Sequence, residues 1–113
     1  MRAAMKPRRP EDRLSDEVRC ALGCMPGVIV MRNVVARAVV VGTSWPALLG
    51  LGEGTPDLVA IVRGQWLGLE LKTPTGRLSP AQERCHEAWR AAGAVVVVVR
   101  SVADAVAAVE AMP

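Results

Sequence analysis

Two carboxylates and one lysine stand out because they lie in otherwise apolar, strand-like sequence. Asp57 opens the segment DLVAIVR, and Glu70 and Lys72 end the segment WLGLELK. Carboxylates crowded against an apolar sheet repel each other unless a positive charge lies between them. Lys72 could supply that charge in a structural ion pair. A divalent cation could supply it instead, because oxygen ligands with open coordination positions suit Mg²⁺ or Mn²⁺, which also accept phosphate oxygens.

The two segments that carry these charges are typical of a β-hairpin. Gly64-Gln65 predicts a two-residue turn, which places Asp57 opposite Lys72 and makes Glu70 a diagonal neighbour at roughly 7–8 Å. Residues two apart share one face of a strand, so all three charges meet at one end of the hairpin. A metal ion held there would polarise a phosphodiester and acidify a bound water. Geometry alone leaves the ion pair and the metal site equally open.

The rest of the chain predicts an α/β domain whose mixed sheet is flanked by helices. Helical spacing of apolar residues predicts a first helix over PEDRLSDEVRCALGCMPG, and VIVMRN and VVARAVVVG favour strands that form a hairpin or one long bent strand. Prolines and glycines in TSWPALLGLGEGTP indicate a loop. A capping box from Ser79 to Gln82 opens a second helix, AVVVVV is a buried strand, and Ser101 caps a last helix. The predicted order is α-β-β-β-β-α-β-α.

The length and composition of the chain limit the classes of protein to which it can belong. With 113 residues and 51% hydrophobic content, the chain suits a single domain. It has no apolar run of the ~20 residues that span a membrane and no signal-peptide pattern, so a cytoplasmic protein is expected. No phosphate-binding loop or small-molecule cofactor is expected, since no Gly-Lys-Ser/Thr follows the glycines. A zinc site is disfavoured, because its candidate ligands fall on helices without knuckle spacing: Cys20, Cys24, Cys85 and the single histidine, His86.

The net charge of +3 is concentrated at the start of the chain. Residues 1–13 hold five basic and two acidic side chains, a difference of +3, and the remaining residues balance. We therefore expect a basic arm over residues 1–10 and one folded domain over residues 11–113. Such an arm can contact a polyanion such as DNA, or it can be a solvated, disordered terminus.

The ordered set of motifs resembles the VRR-NUC family of PD-(D/E)XK nucleases. Pro56-Asp57 followed by Glu70-Leu71-Lys72 is similar to the nuclease signature. An early helical glutamate (Glu17), Arg32-Asn33 on the first strand, a glycine-rich approach to the aspartate and GRLSPAQ after the lysine narrow the resemblance to VRR-NUC. The resemblance spans roughly residues 11–110 and implies a restriction-endonuclease-like core.

This resemblance also implies roles for individual residues. Asp57 and Glu70 would bind Mg²⁺ or Mn²⁺, with the main-chain carbonyl of Leu71 as a further ligand. Lys72 would be the catalytic lysine, and Glu17 would complete the acidic cluster. The remaining site residues are Gln82, which the capping box alone also explains, and a DNA-binding set that comprises Arg2, Lys6, Arg8, Arg9, Arg32, Asn33, Lys72 and Arg77.

The family resemblance implies an endonuclease that acts on branched DNA of the Holliday-junction type, similar to standalone and often phage-encoded members that work as homodimers in DNA repair and recombination. A dimer suits a small body, because DNA recognition typically buries roughly 1,000–2,500 Å² of protein. The apolar segment WPALLGLG is a candidate dimer contact, with core packing as the alternative. A flap- or nick-directed or restriction-like nuclease, a non-catalytic DNA-binding protein, and a structural domain with an ion pair remain alternatives.

Overall fold

A computed structural model describes residues 9–113, without the side chains of residues 37, 38, 48 and 49. The described part contains a four-stranded sheet, a separate two-stranded hairpin and three helices. The predicted mixed α/β class is confirmed. The helices are α1 (Pro10–Gly23), α2 (Pro80–Ala91) and α3 (Val102–Glu110), and the strands are β1 (Val28–Arg32), β2 (Ala36–Val39), β3 (Pro46–Leu49), β4 (Leu58–Val62), β5 (Gln65–Leu71) and β6 (Val95–Val99).

The main sheet has the strand order β1-β4-β5-β6, in which β1, β4 and β5 are antiparallel and β6 runs parallel to β5. Alternation along β5 divides the core between the two faces. Leu67, Leu69 and Leu71 are buried with residues of α1 and α3, including Val18 and Ala105. Gly68 and Glu70 lie on the other face and contact α2. The sheet is therefore covered on both faces around β5. Within residues 9–113, no helix is long and apolar enough to cross a membrane.

The β2–β3 hairpin corrects the predicted loop at TSWPALLGLGEGTP. Four residues of that segment form β3 and pair antiparallel with β2, from Ala36↔Leu49 to Val39↔Pro46. Proline is tolerated as the first residue of an edge strand, which explains why Pro46 does not prevent the pairing. β1 and β2 lie in different sheets, so they do not form a hairpin with each other. The order has one strand more than predicted before α2.

The β4–β5 turn also differs from its prediction. The central residues are Arg63 and Gly64, both with positive φ (47° and 86°), and Val62 pairs with Gln65. Positive φ at both positions is typical of a type I′ turn. Arg63 adopts this conformation where its guanidinium donates to the Val109 and Met112 carbonyls at the end of α3, at 3.2 and 2.8 Å. The register is two residues away from the predicted one, so Asp57 is not opposite Lys72.

A slip of two residues leaves every side chain on its predicted face. One step beyond the observed pair Leu58↔Leu69, the register sets Asp57 opposite Glu70.

The two predicted helix caps are confirmed. Ser79 and Gln82 form the complete capping box of α2, and the Ser101 side chain accepts from Asp104 N at the start of α3.

Candidate active site

Asp57 immediately precedes β4 and lies between two open cavities. The α1-side cavity has a volume of about 180 Å³, and its lining includes Asp57, Leu71 and residues of α1. The α2-side cavity has a volume of about 320 Å³, and its lining includes Asp57, residues 53–55 and the start of α2. The Asp57 carboxylate accepts a hydrogen bond from Leu71 N at 2.8 Å, which ties it to the end of β5. Asp57 can therefore meet a substrate that approaches from either cavity.

Asn33 holds the loop that delivers Asp57. Its Nδ2 donates to Thr55 Oγ1 and to the Pro56 carbonyl, both at 2.8 Å, and its Oδ1 accepts from Leu51 N at 3.1 Å. Its main-chain N–H donates to the Asp57 carbonyl at 2.9 Å. Both donors and the acceptor of the carboxamide thus serve the loop. These contacts give Asn33 a role in positioning Asp57, and its contact with DNA stays a prediction.

Glu70 is buried beneath Asp57, with 1% of its surface exposed. Its Oε1 lies 3.1 Å from Nε2 of His86, which is equally buried on α2. Burial, together with a hydrogen bond to Asp57 and the negative charge of Asp57, raises the pKa of Glu70 to about 9. Burial, followed by the charges of Arg90 and Lys72, lowers the pKa of His86. At neutral pH, the metal-free site therefore holds a protonated Glu70 between the Asp57 carboxylate and a neutral imidazole.

Lys72 follows Glu70 at the end of β5 and is half-buried. Its charge acts to lower the pKa of both Glu70 and His86, which puts the ammonium within electrostatic range of the carboxyl pair. The loop after it is held by Arg100, whose Nη1 donates to the Thr73 and Gly76 carbonyls. The structure thus brings Asp57, Glu70 and Lys72 to one end of the hairpin, as the face analysis predicts.

The acidic residues of α1 that line the α1-side cavity are Glu11 and Asp12, whereas Glu17, predicted to complete the acidic cluster, lies elsewhere on the helix. Glu11, Asp12 and Ser15 line the α1-side cavity, and the charge of Glu11 contributes to the raised pKa of Glu70. Glu17 is exposed and lines neither cavity. At ~100° per residue it lies roughly 200° from Ser15 around the helix. The sequence shows which helix face is apolar, but which turn meets the site depends on how α1 packs.

Gln82 lines the α2-side cavity together with Asp57. Its Oε1 accepts from Ser79 N at 2.9 Å and completes the capping box. The oxygen therefore serves the helix, and the amide nitrogen is the atom with which Gln82 could contact a substrate. The cap and the site role predicted for Gln82 are compatible.

The predicted DNA-binding residues are distributed unevenly. Arg9 and Arg32 line the α1-side cavity, and Arg77 is exposed on the loop between Lys72 and α2. Arg2, Lys6 and Arg8 lie outside the described residues.

Sequence reasoning missed Glu11 and His86. For His86 a signal exists, since it is four residues after Gln82 and three before Trp89 and so shares their face of α2.

The carboxyl pair fits a hard divalent cation. Among the described residues, no group of three or more His, Cys, Asp and Glu side chains could hold a metal ion. The available donors are then Asp57, Glu70 and the Leu71 carbonyl, a sparse oxygen set that suits Mg²⁺, which keeps several waters. Glu70 keeps its proton chiefly because it is buried, and a cation between the two carboxyl groups would favour its ionised, metal-binding form.

No family model matches the sequence, and no curated protein matches it. Among solved structures, the chain is similar to one described as a VRR_NUC domain, with 27% sequence identity and a TM-score of 0.63. The match covers 91% of this chain and 97% of the other. The similarity to this structure thus extends over nearly the whole chain and includes the segments whose motifs meet at Asp57. This structural match supports a VRR-NUC domain protein with a nuclease-type α/β domain.

Proposed function

We propose that the protein is a metal-dependent endodeoxyribonuclease that cleaves branched DNA of the Holliday-junction type as a homodimer. The observation that carries the proposal is the pairing of half-buried Asp57 with buried Glu70, with Lys72 in electrostatic range and two cavities opening onto Asp57. A buried acid with a strongly raised pKa beside another carboxylate is costly for folding and typical of functional sites. A cytoplasmic location belongs to the same proposal.

Asp57 and Glu70 would hold Mg²⁺ or Mn²⁺, together with the Leu71 carbonyl. When bound, such an ion polarises a phosphodiester and lowers the pKa of a water molecule. Lys72 offsets the negative charge that grows on the phosphate during hydrolysis or orients the attacking water. Glu11 takes the role first assigned to Glu17, since it is the α1 glutamate that lines the α1-side cavity. Asn33 keeps Asp57 in place through the loop.

The DNA backbone would run across the two cavities, past Asp57. Arg9 and Arg32, which line the α1-side cavity, and Gln82, which lines the α2-side cavity, would contact phosphates. Arg77 would extend this contact along the exposed loop, and the basic residues of the arm, Arg2, Lys6 and Arg8, would add sequence-independent attraction.

Exposed apolar surface supports the homodimer. Trp45 is 71% exposed and Leu51 is 54% exposed, both within the WPALLGLG segment. Next to Leu51, the part of the sheet that α2 leaves uncovered exposes Ile29, Met31 and Trp66. Contiguous exposed apolar surface of this kind marks interaction sites. A second copy on this surface would double the DNA-binding area.

Cleavage assays test the proposal. The full chain is incubated with a four-way junction, a flap and linear duplex of matched sequence, in Mg²⁺, Mn²⁺ or EDTA. We expect metal-dependent cutting with the junction preferred, and a loss of about 100-fold or more in Lys72→Ala, because electrostatic stabilisation of this kind typically contributes that much. Arg19→Ala, a surface change at the other end of α1, is the control. If Lys72→Ala cleaves as fast as the wild type, Lys72 is not a catalytic residue.

The same substrates separate the alternatives. Preference for the flap would replace the junction assignment, and junction binding without cleavage in either metal would favour a non-catalytic DNA-binding protein. Sizing with light scattering tests the dimer, and Trp45→Ser tests its surface. A monomer at the concentration of the cleavage assay would rule out symmetric cutting of a junction.

A further inference from the structure

His86 and Glu70 form a hydrogen bond that is closed to solvent and lies directly beneath the proposed metal site. The Nε2–Oε1 distance is 3.1 Å, and each residue exposes 1% of its surface. His86 is the fully buried residue of α2, whose other residues are exposed or half-buried. The helix thus places one imidazole against the one carboxyl group that packs beneath Asp57.

Packing alone does not account for a histidine at this position. Its second nitrogen, Nδ1, is buried and has no hydrogen-bond partner among the described residues. A buried polar atom without a partner costs about 1–3 kcal/mol, which an apolar side chain of similar size would avoid. The imidazole also brings Nε2 to within 3.1 Å of Oε1 of Glu70. Its distinctive contribution is therefore the Nε2–H group directed at Glu70.

We infer that His86 is a positioning residue: it donates from Nε2 to Oε1 of Glu70 and holds that carboxylate in the orientation in which it binds the divalent cation together with Asp57. This inference rests on the proposed function. Carboxylates that bind metals are themselves held by hydrogen bonds from a surrounding layer of residues, and loss of such a partner typically lowers metal affinity about 10–100-fold. In this chain, α2 supplies that partner through His86.

A pair of variants isolates the hydrogen bond from packing. In His86→Gln the side-chain nitrogen is as many bonds from Cβ as Nε2 is, so the donor is retained. His86→Met has the same length without a donor. We expect Mn²⁺ affinity, followed as free Mn²⁺ by electron paramagnetic resonance, to fall about 10–100-fold in His86→Met and to stay within about threefold of the wild type in His86→Gln.

A purely structural role predicts a different pattern. Both variants would then lose stability in EDTA, yet each folded protein would bind Mn²⁺ like the wild type. Equal Mn²⁺ affinity of His86→Met and wild type, or equal loss in both variants, would overturn the inference. Circular dichroism establishes that each variant is folded at the temperature of the titration.

A second measurement leaves His86 in place. Because the chain has a single histidine, ¹⁵N spectra of the labelled imidazole report His86 without assignment. We expect the neutral Nε2–H tautomer and a change in the Nε2 resonance on saturation with Mg²⁺, which Asp57→Asn abolishes. A proton on Nδ1 in the Mg²⁺-bound protein, or no response to Mg²⁺, would overturn the inference.

These outcomes also separate this inference from the proposed function. A wild type that binds neither Mn²⁺ nor Mg²⁺ contradicts both. A wild type that binds Mn²⁺ and cleaves DNA, while His86→Met binds Mn²⁺ equally well, contradicts only the role of His86.

Discussion

Replacing Glu70 with glutamine should stabilise the metal-free protein while it removes nuclease activity. The pKa of Glu70 is raised from an ordinary 4.5 to about 9 by burial, by a hydrogen bond to Asp57 and by the charge of Asp57. A raised folded-state pKa contributes stability that is complete below pH 4.5 and is lost as the pH rises toward 9, because only the unfolded chain releases the proton in this range. Glutamine does not titrate, yet it keeps the shape of the protonated carboxyl and can bond both Asp57 and His86.

The size of the effect follows from the pH interval. At pH 7.5 the interval above the ordinary pKa of 4.5 is 3 units, which at ~1.36 kcal/mol per unit gives an upper limit of about 4 kcal/mol. At pH 5 the same arithmetic leaves less than about 1 kcal/mol. We therefore expect Glu70→Gln to gain about 2–4 kcal/mol over the wild type at pH 7.5 in EDTA, with the gain shrinking steadily as the pH is lowered.

Urea unfolding followed by circular dichroism at pH 5, 6.5 and 7.5 measures this gain. Glu87→Gln is the matched control, since Glu87 is exposed on α2 next to His86 and its stability difference should stay within about 0.5 kcal/mol. His86 is common to all three proteins, so its own titration cancels in the comparison. A Glu70→Gln protein no more stable than the wild type at pH 7.5, or a gain that does not grow with pH, would refute the buried, protonated Glu70.

Three further predictions concern the parts that surround this pair. Asn33→Ala should lose about 2–3 kcal/mol in urea unfolding, since three side-chain hydrogen bonds to the loop disappear at about 1 kcal/mol each, and its cleavage rate should fall with the displaced Asp57. Glu11→Gln should weaken metal-dependent cleavage measurably, whereas Glu17→Gln should cleave like the wild type. Gly54→Ala should cost at least about 2 kcal/mol more than Gly52→Ala in thermal unfolding. Both glycines have positive φ, but an added Cβ at Gly54 would lie 2.5 Å from the α2 backbone, whereas at Gly52 it would meet nothing within 4 Å.

Local sequence was sufficient for the faces of the hairpin but not for its register. The alternation in DLVAIVR and WLGLELK assigns Asp57, Glu70 and Lys72 to one face, and a slip of two residues does not disturb that assignment. The turn itself is placed on Arg63 and Gly64, where the Arg63 guanidinium reaches the end of α3. That contact joins residues 46 to 49 positions apart, so no local pattern contains it.

The residues that surround Asp57 and Glu70 also depend on contacts between distant parts of the chain, which local sequence does not show. Proline and glycine density suggested a loop where β3 forms, because the strand is stabilised by pairing with β2 rather than by its own composition. Helical periodicity identifies the apolar stripe of α1, yet the choice between Glu11 and Glu17 depends on which turn of the helix packs beside Asp57. The sequence can place His86 on the Gln82 face of α2, but its contact with Glu70 depends on how α2 packs against the sheet.

The stability cost at Glu70 itself argues that this pair is functional. A structural ion pair would need Lys72 to neutralise the two carboxyl groups, and the pKa of Glu70 would then be near or below its ordinary value. Instead, the pKa is raised to about 9 even though the charge of Lys72 acts to lower it. Burial is the largest cause of this rise, and the charge of Lys72 does not offset it, so Glu70 keeps its proton in the absence of a cation. Because a protonated Glu70 forms no ion pair with Lys72, we propose the metal site over the ion pair, the other interpretation that the sequence leaves open.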